Sequence, residues 1–166
     1  MMKNIILIGM PGVGKSSIGV ILAKELGYDF VDSDLIIQGN ENRLLSEIIE
    51  QEGIDGFLEI EEHVNASLCV QKSVIATGGS VVYGQKAMEH LKSIGCIVYL
   101  KLSYQALEER LDNLEGRGVV VKSGQTLKDI YDERTPLYES YADYIIDEKN
   151  LDIEHTLQKI AKIFKK

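Results

Sequence analysis

Apolar residues follow two patterns along this chain. Short continuous runs alternate with longer stretches in which apolar positions recur every three or four residues. Asn4 is followed by Ile5-Ile6-Leu7-Ile8, which predicts a buried strand over residues 3–8. Ile18, Ile21, Leu22 and Leu26 mark one face of a helix over 15–26, and Gly27 stands where a helix C-terminus favours glycine. Further strands are predicted at 28–31, 73–77, 96–102 and 141–146. Helices are predicted at 35–52, 57–70, 85–94, 104–113, over part of 126–138, and at 152–164. The turn Gly53-Ile54-Asp55-Gly56 separates two of them, and residues 115–124 read as a glycine-punctuated loop.

Strand and helix alternate throughout, which implies a parallel sheet with helices on both faces. Ligands in such sheets bind beyond the carboxyl ends of the strands. Three candidate motifs follow strands at that edge: the run from Gly9 to Ser16, Asp32-Ser33-Asp34, and Gly78-Gly79-Ser80. At 166 residues the chain suits one domain with a full core. No repeat, linker or low-complexity segment interrupts it.

Composition narrows the function. Apolar residues are 45% and charged residues 27%, ordinary for a soluble protein. No apolar run approaches the roughly 20 residues that span a bilayer, and Ile5 to Ile8 is too short for a signal peptide. The expectation is a cytoplasmic protein without a membrane partner. A formal net charge of −8 argues against nucleic acid as a partner. Only four arginines are present, Arg43, Arg110, Arg117 and Arg134, so each is informative. Cys69 and Cys96 lack metal-site spacing and are expected to be two buried free thiols.

Gly9-Met10-Pro11-Gly12-Val13-Gly14-Lys15-Ser16 fits G-x-x-x-x-G-K-[ST], with the required strand before it and helix after it. Glycines let the backbone take positive φ and bring N–H groups to phosphate oxygens. The helix N-terminus, including Ser17, points its free N–H groups at the same oxygens. Lys15 supplies charge near the β- and γ-phosphates, and Ser16 offers a hydroxyl to Mg²⁺. Gly12, Val13, Gly14, Lys15, Ser16 and Ser17 are therefore the expected ATP-phosphate cradle.

The other clusters are read beside that loop. Asp32 and Asp34, two apart in extended chain, would face one side. One is placed to order Mg²⁺ through water and the other to orient an attacking hydroxyl. A solvated turn with a helix N-cap is the competing reading. Gly78-Gly79-Ser80 suits close backbone approach to a ligand. Arg117, between Gly116 and Gly118, is either a surface arginine or one that closes over the phosphates. Arg134 either grips a carboxylate through two parallel N–H···O bonds or pairs with Asp132 or Glu133. Spacing does not separate these alternatives.

With these residues the chain resembles the shikimate kinase family of small P-loop metabolite kinases, nearly end to end. The resemblance includes the P-loop, Asp32-x-Asp34, Phe57-x-x-x-Glu61, Ala76-Thr77-Gly78-Gly79, Glu109-Arg110-Leu111, the loop with Arg117, and Arg134-x-Pro136-Leu137-Tyr138. It implies a three-layer α/β P-loop kinase fold with a five-stranded parallel sheet. It also implies a small helical substrate-binding region at 32–70 and a lid at 112–125 within one domain. By resemblance, Asp34 contacts the acceptor hydroxyls as base or orienting group, Asp32 and Ser16 serve Mg²⁺, Arg110 stacks near adenine, Arg117 closes over the phosphates, and Arg134 holds the acceptor carboxylate. The implied reaction is transfer of the γ-phosphoryl of Mg-ATP to shikimate.

Two departures fall in the acceptor site. The family pattern reads Phe-Arg-x-x-Glu, with an arginine that binds shikimate and is supported by the glutamate; here the position is Leu58. The family carries three glycines where this chain has Gly78-Gly79-Ser80. Glu61 without that arginine would be a buried carboxylate short of a partner, which is costly. A substrate ammonium would relieve it. A hydroxy amino acid is therefore an alternative acceptor, with Arg134 on its carboxylate and Glu61 on its amine. Arg43 or a lysine refilling the lost charge is another outcome, and a nucleotide-binding switch without kinase activity is a further class. A monomer is the expected state.

Overall fold

The computed structural model describes residues 3–111, 119–148 and 152–165. Its centre is a five-stranded, all-parallel sheet in the order β2-β3-β1-β4-β5. The strands are β1 (Asn4–Ile8), β2 (Asp29–Asp32), β3 (Ser73–Ala76), β4 (Gly95–Leu102) and β5 (Tyr144–Glu148). β1 lies between β3 and β4 and is buried at every position, as its unbroken apolar run requires. The helices are α1 (Lys15–Leu26), α2 (Ser33–Glu41), α3 (Leu45–Ala66), α4 (Gln85–Ile94), α5 (Tyr104–Arg110), α6 (Leu127–Tyr141) and α7 (Ile153–Phe164), with a 3-10 turn at Val81–Tyr83. α1 packs against α7, and α3 against α4 and the 3-10 turn, so the sheet is enclosed between two helical layers. The three-layer α/β fold with a five-stranded parallel sheet is the one the alternating pattern predicts. Among the described residues no helix is long and apolar enough to cross a membrane.

A second, smaller core joins α2 to α3. Ile37, Ile48, Phe57, Val64 and Val120 form it, and Leu58 packs against it half-buried. This cluster holds α2 and α3 beside the P-loop edge of the sheet.

Four local expectations are corrected. Residues 35–52 are not one helix: α2 stops at Glu41, Asn42 takes a left-handed φ of 51°, and α3 begins at Leu45. Asparagine is one of the few side chains that tolerates that conformation, so no glycine announces the break. The expected turn at 53–56 shrinks to one non-helical residue, Gly53, inside α3. β5 begins at Tyr144 rather than residue 141, because α6 runs through Pro136 to Tyr141. The cysteines are free, but Cys69 is exposed and Cys96 half-buried rather than both being buried.

Candidate active site

The P-loop spans the turn from β1 to α1. Gly12 and Gly14 take φ values of 80° and 97°, in the left-handed region that favours glycine, and Gly14 is the N-cap of α1. A side chain on Gly12 would also strike Leu111 at 2.8 Å, so the end of α5 presses on the loop. Lys15 is buried, and its Nζ donates to the carbonyls of Gly9 at 2.6 Å and Met10 at 2.9 Å. Burial, opposed by the charge of Asp34, lowers its pKa to about 8. Val13 sits in the core beneath the loop, and its N–H donates to the Met10 carbonyl. Arg110 Nη1 donates to the Gly12 carbonyl at 3.0 Å, which brings the end of α5 to the cradle.

Asp32 does two things at once. Its Oδ1 accepts from the N–H groups of Asp34 and Leu35 as the N-cap of α2, and its Oδ2 accepts from Ser16 Oγ at 2.8 Å. The two sequence readings, cap and metal-side carboxylate, are therefore compatible. Asp34 is not in extended chain as the spacing suggests. It lies in the first turn of α2, yet still faces the site. Burial, aided by the Asp32 charge, pushes its pKa up to about 6.

Behind them lies a cavity of about 390 Å³. Lys15, Ser16 and Ser17 of the loop line it, together with Asp34, Glu61 and Arg134. Glu61 and Arg134 are almost completely buried, at 2% and 1% exposure. Glu61 Oε1 accepts from Ser80 Oγ at 2.7 Å. Burial pushes the Glu61 pKa up to about 7, against the Ser80 hydrogen bond. Arg134 Nε donates to Tyr83 Oη and Nη2 to the Val120 carbonyl at 2.9 Å, with the Tyr83 ring against the guanidinium. Three buried atoms of these lining residues have no partner: Asp34 Oδ1, Glu61 Oε2 and Arg134 Nη1. A buried polar atom left unpaired costs roughly 1–3 kcal/mol, so three on residues that line one cavity call for a physical explanation.

The glycines are spatial requirements here. A Cβ on Gly78 would lie 2.7 Å from Asp34 Oδ1 and 2.8 Å from Glu61 Oε2, and one on Gly79 would strike Pro11 at 2.8 Å. Tyr138 Oη donates to the Gly79 carbonyl at 2.5 Å and fixes that loop from α6.

The shikimate kinase family model matches residues 11–165. The chain belongs to the shikimate kinase family. It is 39% identical over 168 residues to the shikimate kinase of Thermodesulfovibrio yellowstonii, covering 99% of this chain and 96% of that one. The structure of shikimate kinase from Acinetobacter baumannii in complex with shikimate superposes with a TM-score of 0.88 at 32% identity, covering 98% and 93%. Shikimate kinase from Aquifex aeolicus gives a TM-score of 0.82 at 27% identity, covering 98% and 96%. Like its relatives, the chain is an ATP-dependent kinase.

Set in this shikimate kinase fold, the sequence-predicted residues divide unevenly. Gly12, Gly14, Lys15, Ser16, Ser17, Asp34, Glu61, Gly78, Gly79, Ser80 and Arg134 all line the cavity. Leu58 does not, and packs on the second core instead. Arg117 lies outside the described residues, as does the first half of the expected lid, residues 112–118. Arg134 does not pair with its neighbours, because Asp132 takes Lys128 while Glu133 takes Tyr83 and Gln125. Arg43 does not refill the pocket, since it is held by Glu41 and Glu52. Sequence reasoning missed Tyr83 and Val120, which hold Arg134. Tyr138 lies one turn after Arg134 on α6, and that spacing was the signal available for it.

Proposed function

We propose that the protein transfers the γ-phosphoryl group of Mg-ATP to a hydroxyl of shikimate, giving shikimate 3-phosphate and ADP. The observation that carries this is the single cavity joining a phosphate cradle to three open polar atoms on Asp34, Glu61 and Arg134. The shikimate-bound relative from Acinetobacter baumannii supports the acceptor.

The residue roles follow from chemistry. The backbone from Gly12 to Ser17 and the Lys15 ammonium hold the phosphates. Lys15 Nζ already donates to the Gly9 and Met10 carbonyls, and its third N–H is the donor left for a phosphate. Arg110, which donates to the Gly12 carbonyl, is assigned to adenine, and Arg117 to the transferring group. Ser16 and Asp32 offer oxygen atoms, the donors Mg²⁺ prefers. Among the described residues no three His, Cys, Asp or Glu side chains are grouped to hold a metal. A magnesium ion held there would take its remaining ligands from phosphates and water. When bound, it neutralises charge on the β- and γ-phosphates. Asp34 Oδ1 orients the acceptor hydroxyl and accepts its proton as the oxygen bonds to phosphorus and ADP departs. Arg134 Nη1 receives the acceptor carboxylate. Catalysis is then chiefly positioning and charge stabilisation.

One observation favours a second acceptor class. Glu61 Oε2 is open and no cation stands at position 58, so a hydroxy amino acid would place its ammonium there. A coupled assay of ADP release decides between them. Shikimate-dependent turnover is expected. Turnover on homoserine, serine or threonine with none on shikimate would overturn the shikimate reading, and hydrolysis indifferent to every acceptor would overturn both. A cytoplasmic location fits an ATP-consuming enzyme with two free thiols.

A further inference from the structure

Glu61 and Ser80 form a contact that the proposed reaction leaves without a task. Ser80 is buried at 5% exposure, directly after the two cavity glycines. Its hydroxyl is committed to Glu61 Oε1 at 2.7 Å. The other oxygen, Oε2, is buried, unpartnered and beside the cavity-lining Cα of Gly78. Position 58, one turn earlier on α3, is the place from which a helix neighbour would reach Glu61. It holds a leucine turned into the second core. The charged groups facing Glu61 are Asp34 from α2, Lys15 from α1 and Arg134 from α6, and none of the three hydrogen-bonds it.

We infer that Ser80 and Glu61 act as one acceptor-specificity unit, in which the Ser80 hydroxyl fixes Glu61 so that Oε2 hydrogen-bonds the acceptor directly. This rests on the kinase reading above and adds a positioning residue, Ser80, and a binding atom to it. The chemistry sets the direction of the bond. Oε1 already accepts, so the proton of a neutral Glu61 carboxyl resides on Oε2 and points at the ligand as a donor. With the acceptor carboxylate on Arg134, Oε2 meets a hydroxyl of the acceptor, and a neutral carboxyl donates to it without adding a second negative charge beside the anion. Above about pH 7 burial no longer keeps the carboxyl neutral, the donor is lost, and an anion faces an anion.

The test is the pH dependence of the acceptor KM, with shikimate as the probe, in the wild type, Glu61→Gln and Ser80→Ala. In the wild type, once Asp34 has ionised near pH 6, the acceptor KM is expected to rise roughly tenfold per unit above pH 7. Glu61→Gln keeps a neutral donor at every pH, so its KM should stay flat to pH 9. Ser80→Ala frees the carboxyl to rotate, and should raise the acceptor KM about tenfold while changing kcat and the KM for ATP much less. Leu58→Arg supplies the missing helix neighbour. It should ionise Glu61, remove the alkaline rise, and make the Ser80→Ala substitution nearly silent in that background. An alkaline rise that persists in Glu61→Gln, or an acceptor KM indifferent to both changes in an enzyme that phosphorylates shikimate, overturns the unit alone. A KM that falls with pH, with preference for an ammonium-bearing acceptor, overturns it in favour of an ionised Glu61. No wild-type turnover of shikimate overturns the parent reading and the inference with it.

Discussion

The two ends of the cavity are satisfied in opposite ways. At the phosphate end the side chains bond within the site: Lys15 donates to Gly9 and Met10, Ser16 to Asp32, and Arg110 to Gly12. At the acceptor end Asp34 Oδ1, Glu61 Oε2 and Arg134 Nη1 are buried and open. On the proposed reading a phosphate competes with internal hydrogen bonds, whereas an acceptor completes bonds that are missing. The phosphate end is built largely of backbone geometry, so one motif specifies it. The acceptor end is built of side chains from α2, α3, the Gly78 loop and α6, so its specificity depends on each of them.

That contrast is broken most severely at Lys15. Lys15→Ala should lower kcat about 10³-fold, because among the described residues no other lysine lines the cavity. Acceptor binding, read as a thermal shift with shikimate, should survive. If turnover persisted near the wild-type level, the phosphate end would not be the donor site. If turnover and acceptor binding vanished together, the two ends would not be separable.

Arg134 gives the next largest effect, at the other end. Arg134→Lys keeps a charge but loses the fork held by Tyr83 and Val120. Losing one charge-assisted contact, worth roughly 2–3 kcal/mol, should raise the acceptor KM about 10²-fold with the KM for ATP little changed. An equal loss on both substrates would show that Arg134 supports the whole site and not the acceptor end.

Gly78 sharpens the comparison further. Gly78→Ala places a methyl group within 3 Å of both open carboxyl oxygens. The expected result is a roughly tenfold rise in acceptor KM, the cost of about one hydrogen bond. Steady-state kinetics with each substrate varied in turn would show it. An unchanged acceptor KM would mean that Asp34 Oδ1 and Glu61 Oε2 do not meet the ligand.

The same contrast explains what the sequence made legible. The sheet and the phosphate end were readable because each rests on local signals: unbroken apolar runs for β1 and β4, and glycines at fixed offsets for the loop. The break between α2 and α3 was not, because Asn42 takes the left-handed turn without a glycine or proline to mark it. Arg134 was ambiguous because Asp132 and Glu133 adjoin it; Lys128 occupies Asp132 as an i,i+4 helix pair, and only tertiary contacts show that Tyr83 and Gln125 occupy Glu133. The Ser80–Glu61 bond joins residues 19 apart on a loop and a helix, and no periodicity encodes that. Leu58 stood out in sequence as a change in the site, but its side chain turns to the second core.

The smallest expected effect concerns stability, and it tests whether the acceptor end is held open at a cost. The folded Glu61 pKa is raised to about 7 from 4.5 by burial. Between those values the folded state binds more protons than the unfolded one, so stability falls as pH rises and the contribution of the neutral carboxyl is lost through pH 7. The full shift corresponds to roughly 3 kcal/mol. Asp34 competes for the same proton and the cavity admits water, so a net effect on the order of 1 kcal/mol is expected. Glu61→Gln should therefore match the wild type in melting temperature at pH 5 and exceed it by a few degrees at pH 8. Parallel melting curves for the two proteins across that range would mean that Glu61 is already paired. The acceptor end would then be as self-satisfied as the phosphate end.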